Sequence, residues 1–178
     1  MNKQEIYDFL TQKNISYKAY EHEAVFTVEA ANALNLPNPE CGAKNLFLRD
    51  DKKRNYYLFT LKDDRTVNIK NLQTMIGSRK LQFASEEDLY SYMKLIRGAV
   101  TPLGALNDEA CTVKVFIDAY FKDNTISVHP NDNTATIYLA CNDLISLIRE
   151  HGNQAEYIDF PFFPDIIAVG GDKTCSQN

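Results

Sequence analysis

Ala43-Lys44-Asn45-Leu46-Phe47-Leu48-Arg49, then Asp50-Asp51-Lys52-Lys53-Arg54-Asn55, then Tyr56-Tyr57-Leu58-Phe59-Thr60-Leu61 follow one another without a break. Two apolar runs of strand length flank a charged turn, which predicts a β-hairpin. On the N-terminal side, Ile6, Phe9 and Leu10 recur at helical spacing over 3–13. The alternation from Ile15 to His22 predicts a strand. Thr27 has the chemistry of an N-cap for a short Ala-rich helix to Leu34, stopped by Leu36-Pro37-Asn38-Pro39.

On the C-terminal side, Thr66–Ile69 is expected to continue the sheet, with a short helix to Ile76. Ser85-Glu86-Glu87-Asp88 has the form of a capping box, and Leu89, Tyr92, Met93 and Ile96 share the stripe behind it. The segment 98–108 holds Gly98, Pro102 and Gly104 and is read as irregular backbone. Thr112–Asp118, Thr125–His129 and Thr134–Leu139 are β-rich runs joined by Asp- and Asn-rich turns. Asn142 is placed as the cap of a last helix through Glu150, ended by Gly152, and Glu156–Phe160 as a final strand. Helices and strands are interspersed, and several strands have turn-length links. The expected fold is α+β: a mixed, partly barrel-like sheet surrounded by helices.

A chain of 178 residues with 44% hydrophobic and 24% charged residues fits one soluble domain with a sizeable core. Residues 1–160 are read as that domain and 161–178 as a C-terminal tail. The first residues are a polar–apolar mixture without a signal-type apolar core, and no run approaches a membrane span. A cytoplasmic location without membrane attachment is expected. Cys41, Cys111, Cys141 and Cys175 form no CxxC pair and have no histidine at ligand spacing, so they are read as reduced thiols, with no metal and no cofactor. Cys41 lies three residues before Lys44 and is either activated by it or an inert small side chain.

Charge is unevenly distributed. Lys44 to Lys80 contains ten basic and four acidic residues and carries +6, which leaves −11 for the rest of a chain whose total is −5. Such a segment can dock a polyanion, or it can be a solvated rim that guards a sheet edge.

Four places carry chemistry. Lys44 lies inside an apolar run, where an ammonium needs an anion or must reach back to water, and Asn45 adds an amide. Gly98-Ala99-Val100-Thr101-Pro102 combines a residue free to adopt positive φ with one of fixed φ. It can present peptide groups rigidly to a ligand, or simply end a helix. His129, before Pro130, sits at a strand end as a base, a water-orienting group or a packing residue. Asp118 closes Val113-Lys114-Val115-Phe116-Ile117-Asp118 and either faces the same cavity or starts a turn. No nucleophile elbow, HExxH, Walker loop or GxGxxG occurs.

Taken in order, Lys44–Asp50 with Tyr56–Phe59, Leu81–Glu87, Gly98–Pro102, Leu106-Asn107-Asp108 and His129-Pro130-Asn131 resemble the aminoacyl-tRNA editing domain family over roughly residues 4–150. That family, also described as the YbaK/prolyl-tRNA synthetase-associated domain, includes the insertion domain of bacterial prolyl-tRNA synthetases and free-standing relatives. The pattern looks most similar to free-standing prolyl-tRNA deacylases that remove alanine mischarged onto proline tRNA.

The resemblance implies a hydrolase acting in trans on the acceptor end of proline tRNA, with prolyl-tRNA synthetase as a further partner. Lys44 would hold the terminal phosphodiester, with Asn45 assisting. The Gly98–Pro102 loop would take the α-ammonium through its carbonyls and, with Ala99, Val100 and Thr101, set the pocket size. His129 would line the pocket and place substrate or water. Asp118 is a looser match to an acidic position of the synthetase insertion. Leu103 stands where relatives often carry Phe, and the segment after 160 is not part of the pattern. Cysteinyl- or seryl-tRNA is an alternative substrate, and a non-catalytic binder of aminoacyl-tRNA or amino acid is a different class.

Overall fold

The computed structural model describes residues 1–25 and 33–160. The expected cap at Thr27 and the tail 161–178 lie outside the described residues. Two sheets form the frame. One is three-stranded and antiparallel, in the order β1 (Tyr17–Glu21), β7 (Ala135–Ala140), β6 (Thr125–Val128). The other is five-stranded and mixed, in the order β4 (Leu81–Phe83), β2 (Ala43–Asp50), β3 (Tyr56–Lys62), β5 (Val113–Asp118), β8 (Ala155–Ile158). Helices α1 (Lys3–Gln12), α2 (Ile69–Met75), α3 (Glu86–Met93) and α4 (Cys141–His151) complete a mixed α+β fold, with the sheets not closed into a barrel.

The predicted hairpin is β2–β3, paired antiparallel from Ala43 opposite Lys62 to Arg49 opposite Tyr56. Every residue of β3 is buried, because both faces of this central strand are covered. Leu58 contributes to the main core with Ile6, Leu10, Val115, Ile117, Ile137 and Ile148. Tyr57, Phe59 and Leu61 point the other way, into a second core with Leu48, Leu72, Phe116 and Phe160. Parallel pairing of β3 with β5, and of β5 with β8, then carries the sheet across to the C-terminal strand.

Local signals behave unevenly. Ser85 caps α3 reciprocally with Asp88, as the sequence predicts. Thr66 to Asn68 do not extend the sheet: the Asn68 side chain accepts from the Lys70 N–H and starts α2 instead. Within 98–108, Pro102–Asn107 is ordered as a 3₁₀ helix. Asn142 does not cap the last helix. That helix begins two residues earlier, with Ala140 in the cap position, and the Asn142 amide donates to Asp123 at 2.7 Å. Among the described residues no helix is long and apolar enough to cross a membrane.

Candidate active site

A cleft of about 1010 Å³ opens where the start of β2, the end of β3, the loop before the Pro102–Asn107 helix and the end of β6 meet. Lys44, Asn45, Gly98, Val100 and His129 all line it. Three sequence segments far apart along the chain thus share one hollow. Ala99, Thr101 and Pro102 are buried and do not line it.

Lys44, the second residue of β2, lines the cleft and is half-buried. Its ammonium donates to the backbone carbonyls of Asp63, at 2.9 Å, and of Arg65. An ammonium has three N–H donors, so one remains for an anion. Burial pushes the Lys44 pKa down, against the opposing pull of the Asp63 and Asp64 carboxylates. The close approach of strand and turn depends on Gly42, where a Cβ would fall 2.3 Å from Asp63 Oδ2 and 3.1 Å from the Pro39 carbonyl.

The Gly98–Pro102 loop is clasped from both sides. Asn45 Nδ2 donates to the Val100 carbonyl at 2.9 Å, while Asn45 Oδ1 accepts from Thr60 at 2.8 Å. On the opposite wall the Thr101 hydroxyl donates to the His129 carbonyl at 2.7 Å. Gly98 turns the chain with φ of 88°, a conformation strained for other residues. Asn45 therefore fixes the loop that the resemblance assigns to the aminoacyl group.

His129 Nδ1 lies 2.8 Å from the Ala135 carbonyl. A carbonyl only accepts, so Nδ1 carries the proton and Nε2 is left as the acceptor. Burial pushes the His129 pKa down, His22 adds to this, and the bond to Ala135 opposes it. The ring is neutral at pH 7. His22, to which the sequence assigns no role, packs with its ring centroid 6.2 Å from that of His129 and accepts from Thr136 at 3.0 Å.

Of the two readings of Asp118, the structure places it away from the cleft wall. It is 1% exposed and does not line the cleft. Its Oδ2 accepts from the Lys62 N–H at 3.2 Å and from Arg65 Nε at 3.1 Å, and its Oδ1 accepts from the Tyr120 N–H at 3.0 Å. It ties β5 to the turn whose carbonyls hold Lys44. The turn reading of this residue describes its contacts, and the ion pair with Arg65 adds a brace.

Several lining groups carry no sequence signal, among them Lys62, Asp63, Asp64, Tyr120, Ser127 and Thr136. They stand in turns or on alternating strand positions that read as ordinary surface. Cys41 is buried in the 3₁₀ turn Pro39–Cys41, and burial, with Glu40, pushes its thiol up. It behaves as the inert thiol of the two readings. Among the described residues no group of three His, Cys, Asp or Glu side chains is placed to hold a metal ion.

With this geometry in hand, comparison with known proteins is informative. The profile of the aminoacyl-tRNA editing domain family matches residues 22–147. The prolyl-tRNA editing protein ProX of Acetoanaerobium sticklandii is 41% identical over 158 residues, covering 88% of this chain and 96% of its own. The mouse prolyl-tRNA synthetase associated domain-containing protein 1 is 32% identical over 151 residues, covering 82% of this chain and 89% of its own. A solved structure provisionally described as a trans-editing enzyme for prolyl-tRNA synthetase superposes with a TM-score of 0.67 at 16% identity, over 89% of this chain and 97% of that one. At that identity the likeness speaks for the fold, while the profile and the 41% relative speak for the family. The chain belongs to the aminoacyl-tRNA editing domain family.

Proposed function

We propose that this editing domain removes alanine from mischarged proline tRNA, acting in trans as a free-standing cytoplasmic enzyme. The class stands on family membership: the chain is an aminoacyl-tRNA hydrolase. The observation that supports the finer reading is the meeting of Lys44, the Gly98–Val100 wall and His129 around one cleft. Its volume exceeds what a free amino acid needs and suits an aminoacylated nucleotide.

In this reading the remaining N–H of Lys44 takes a phosphate oxygen next to the terminal ribose. The clasped loop is assigned the α-ammonium, taken through its peptide carbonyls. Water attacks the ester carbonyl carbon, the bond to the ribose oxygen breaks, and that oxygen leaves as a hydroxyl with the proton given up by the water. An aminoacyl ester is an activated acyl group, so placement and charge stabilisation suffice where no nucleophilic triad is built. The 2′-hydroxyl of the terminal ribose is suited to orient the water. A synthetase site made for proline cannot strongly reject a smaller side chain, since a methylene is worth only about 1–3 kcal/mol. A second, narrower site solves that problem by excluding proline sterically, and His129, which lines the cleft, is assigned to its wall.

The test is a deacylation panel with alanyl-, cysteinyl-, seryl- and prolyl-tRNA for proline. Preferential loss of alanine supports the reading. Preference for cysteine or serine moves the substrate within the family, and absence of ester loss from all of them rejects hydrolysis in favour of a binder. Alanyl-tRNA lacking the terminal 2′-hydroxyl should not turn over; unchanged turnover removes that group from the mechanism.

A further inference from the structure

We infer that Tyr120 is a stacking platform for a nucleobase of the single-stranded tRNA 3′ end, which makes the outer part of the cleft a base-binding subsite. The inference rests on the proposed action on aminoacyl-tRNA and adds to it a subsite and a residue. Phe83, Tyr90 and Tyr120 are the large aromatic side chains that stand exposed among the described residues. Of these, Tyr120 alone borders the cleft that contains Lys44.

A 42% exposed ring on a loosely held loop would be unremarkable surface, but this one is mounted. The Tyr120 N–H donates to Asp118 Oδ1 at 3.0 Å, and the Tyr120 carbonyl accepts from Asn124 Nδ2 at 2.9 Å. One ring edge or face is fixed by Phe121, fully buried, in a T-shaped contact of 5.2 Å between centroids at 86°. The backbone is anchored on both sides and Phe121 packs against the ring, while much of the residue stays open. Such a side chain offers large contact area at low ordering cost, and a π-face receives any base without reading its edge.

Its neighbours suit a nucleotide. Asp118 also grips Arg65, and the Arg65 carbonyl in turn holds the Lys44 ammonium. One buried carboxylate thus sets the positions of the proposed phosphate ligand and of the aromatic ring together. With both residues lining one cleft, a phosphate on Lys44 and a base on Tyr120 would be neighbouring parts of the same 3′ end. The base is either that of the acylated terminal nucleotide or that of the one before it.

The experiment measures binding, so that it does not depend on turnover. The probe is a cytidine-cytidine-adenosine trinucleotide carrying alanine through a 3′-amide in place of the ester, with the terminal or the penultimate base removed in two further versions. Wild type should bind the complete probe roughly tenfold or more tightly than Tyr120→Ala, with Tyr120→Phe within about twofold of wild type and Tyr120→Leu near Ala. Removing one of the two bases should weaken wild type by a similar factor and leave Tyr120→Ala unchanged, and that position names the stacked base. Equal binding by wild type and Tyr120→Ala, or base-removal losses of the same size in both, overturns the platform. Alanine release from intact tRNA is followed separately: release with Tyr120-independent binding refutes the platform alone, and base-dependent binding without release refutes hydrolysis alone. Unchanged thermal midpoints of the Phe and Leu variants separate the effect from misfolding.

Discussion

The hairpin β2–β3 has two basic ends, and they are built for different purposes. At the tip, buried Asp50 organises the turn, accepting from the Lys52 and Arg54 N–H groups at 2.9 Å each and from the Asn55 amide at 2.7 Å. Lys52, Lys53 and Arg54 then point into water, and Arg79 is held by Asp51 in a two-pronged pair. At the base, buried Asp118 organises the turn after β3, but the cation there, Lys44, is half-buried against backbone carbonyls and faces a cleft. The ends lie roughly 20 Å apart along the strands. The +6 of the segment is therefore not one patch. What separates the proposed ligand-holding cation from the solvated ones is its enclosure, which net charge does not reveal.

Five perturbations can break or sharpen this contrast. Lys44→Ala should lower kcat/KM on alanyl-tRNA roughly 30- to 100-fold, the loss of a charge-assisted hydrogen bond of about 2–3 kcal/mol; a change below threefold would make the enclosed end no different from the tip. Asp50→Ala should lower unfolding stability by about 2 kcal/mol, read as a shift in urea midpoint, while leaving kcat/KM alone. Burial raises the Asp50 carboxyl, but the bonds from Asn55, Arg54 and Lys52 outweigh it and hold the pKa below the usual carboxylate value. Its stabilisation is thus present above a pH of about 4 and is lost as acid titrates the folded form.

Asp118→Asn should reduce kcat/KM roughly tenfold, the brace on Arg65 being weakened, with the pH profile unchanged in shape. A profile that loses a limb would instead make Asp118 a proton carrier. His129→Ala should relax rejection of prolyl-tRNA in the deacylation panel, and unchanged discrimination would remove the ring from the sieve. Because the native ring is held neutral, the unfolded chain takes up its proton first, so wild-type stability should begin to fall below a pH of about 6.5, and that component should vanish in His129→Ala. The smallest effect is expected at the tip: replacing Lys52, Lys53 and Arg54 together by Ala should change kcat/KM by less than about threefold at physiological salt. A larger, salt-sensitive loss would show that the tip touches the tRNA stem.

The sequence is legible where structure depends on near neighbours. The Ser85 box, the β2–β3 hairpin and α1 follow from spacing and capping within a few residues. Lys44, Gly98 and His129 could be picked out, each with a competing bland reading, and only their order along the chain made them a set. Asp118 and Asn142 show the limit. Each has a local explanation as a turn or cap residue, yet Asp118 also binds an arginine 53 positions earlier and Asn142 pairs across to Asp123. Tyr120 and His22 gain interest only from what long-range pairing sets beside them, which no window of sequence contains. The same applies to Asn45, whose amide fastens a loop 55 residues away.

The pairing of β3 with β5 has a consequence for the order of assembly. The hairpin closes across a five-residue turn, whereas β3 meets β5 in parallel only after the fifty residues between them are in place, and pairings of such separation are slow to form. The hollow draws on both events, because its lining comes from the hairpin base, from the Gly98–Val100 loop between β3 and β5, and from Ser127–His129 after β5. A chain still emerging or half-assembled therefore holds its lysine without the opposite wall. On the proposed function, such a chain would lack the enclosure that holds an aminoacyl end in place.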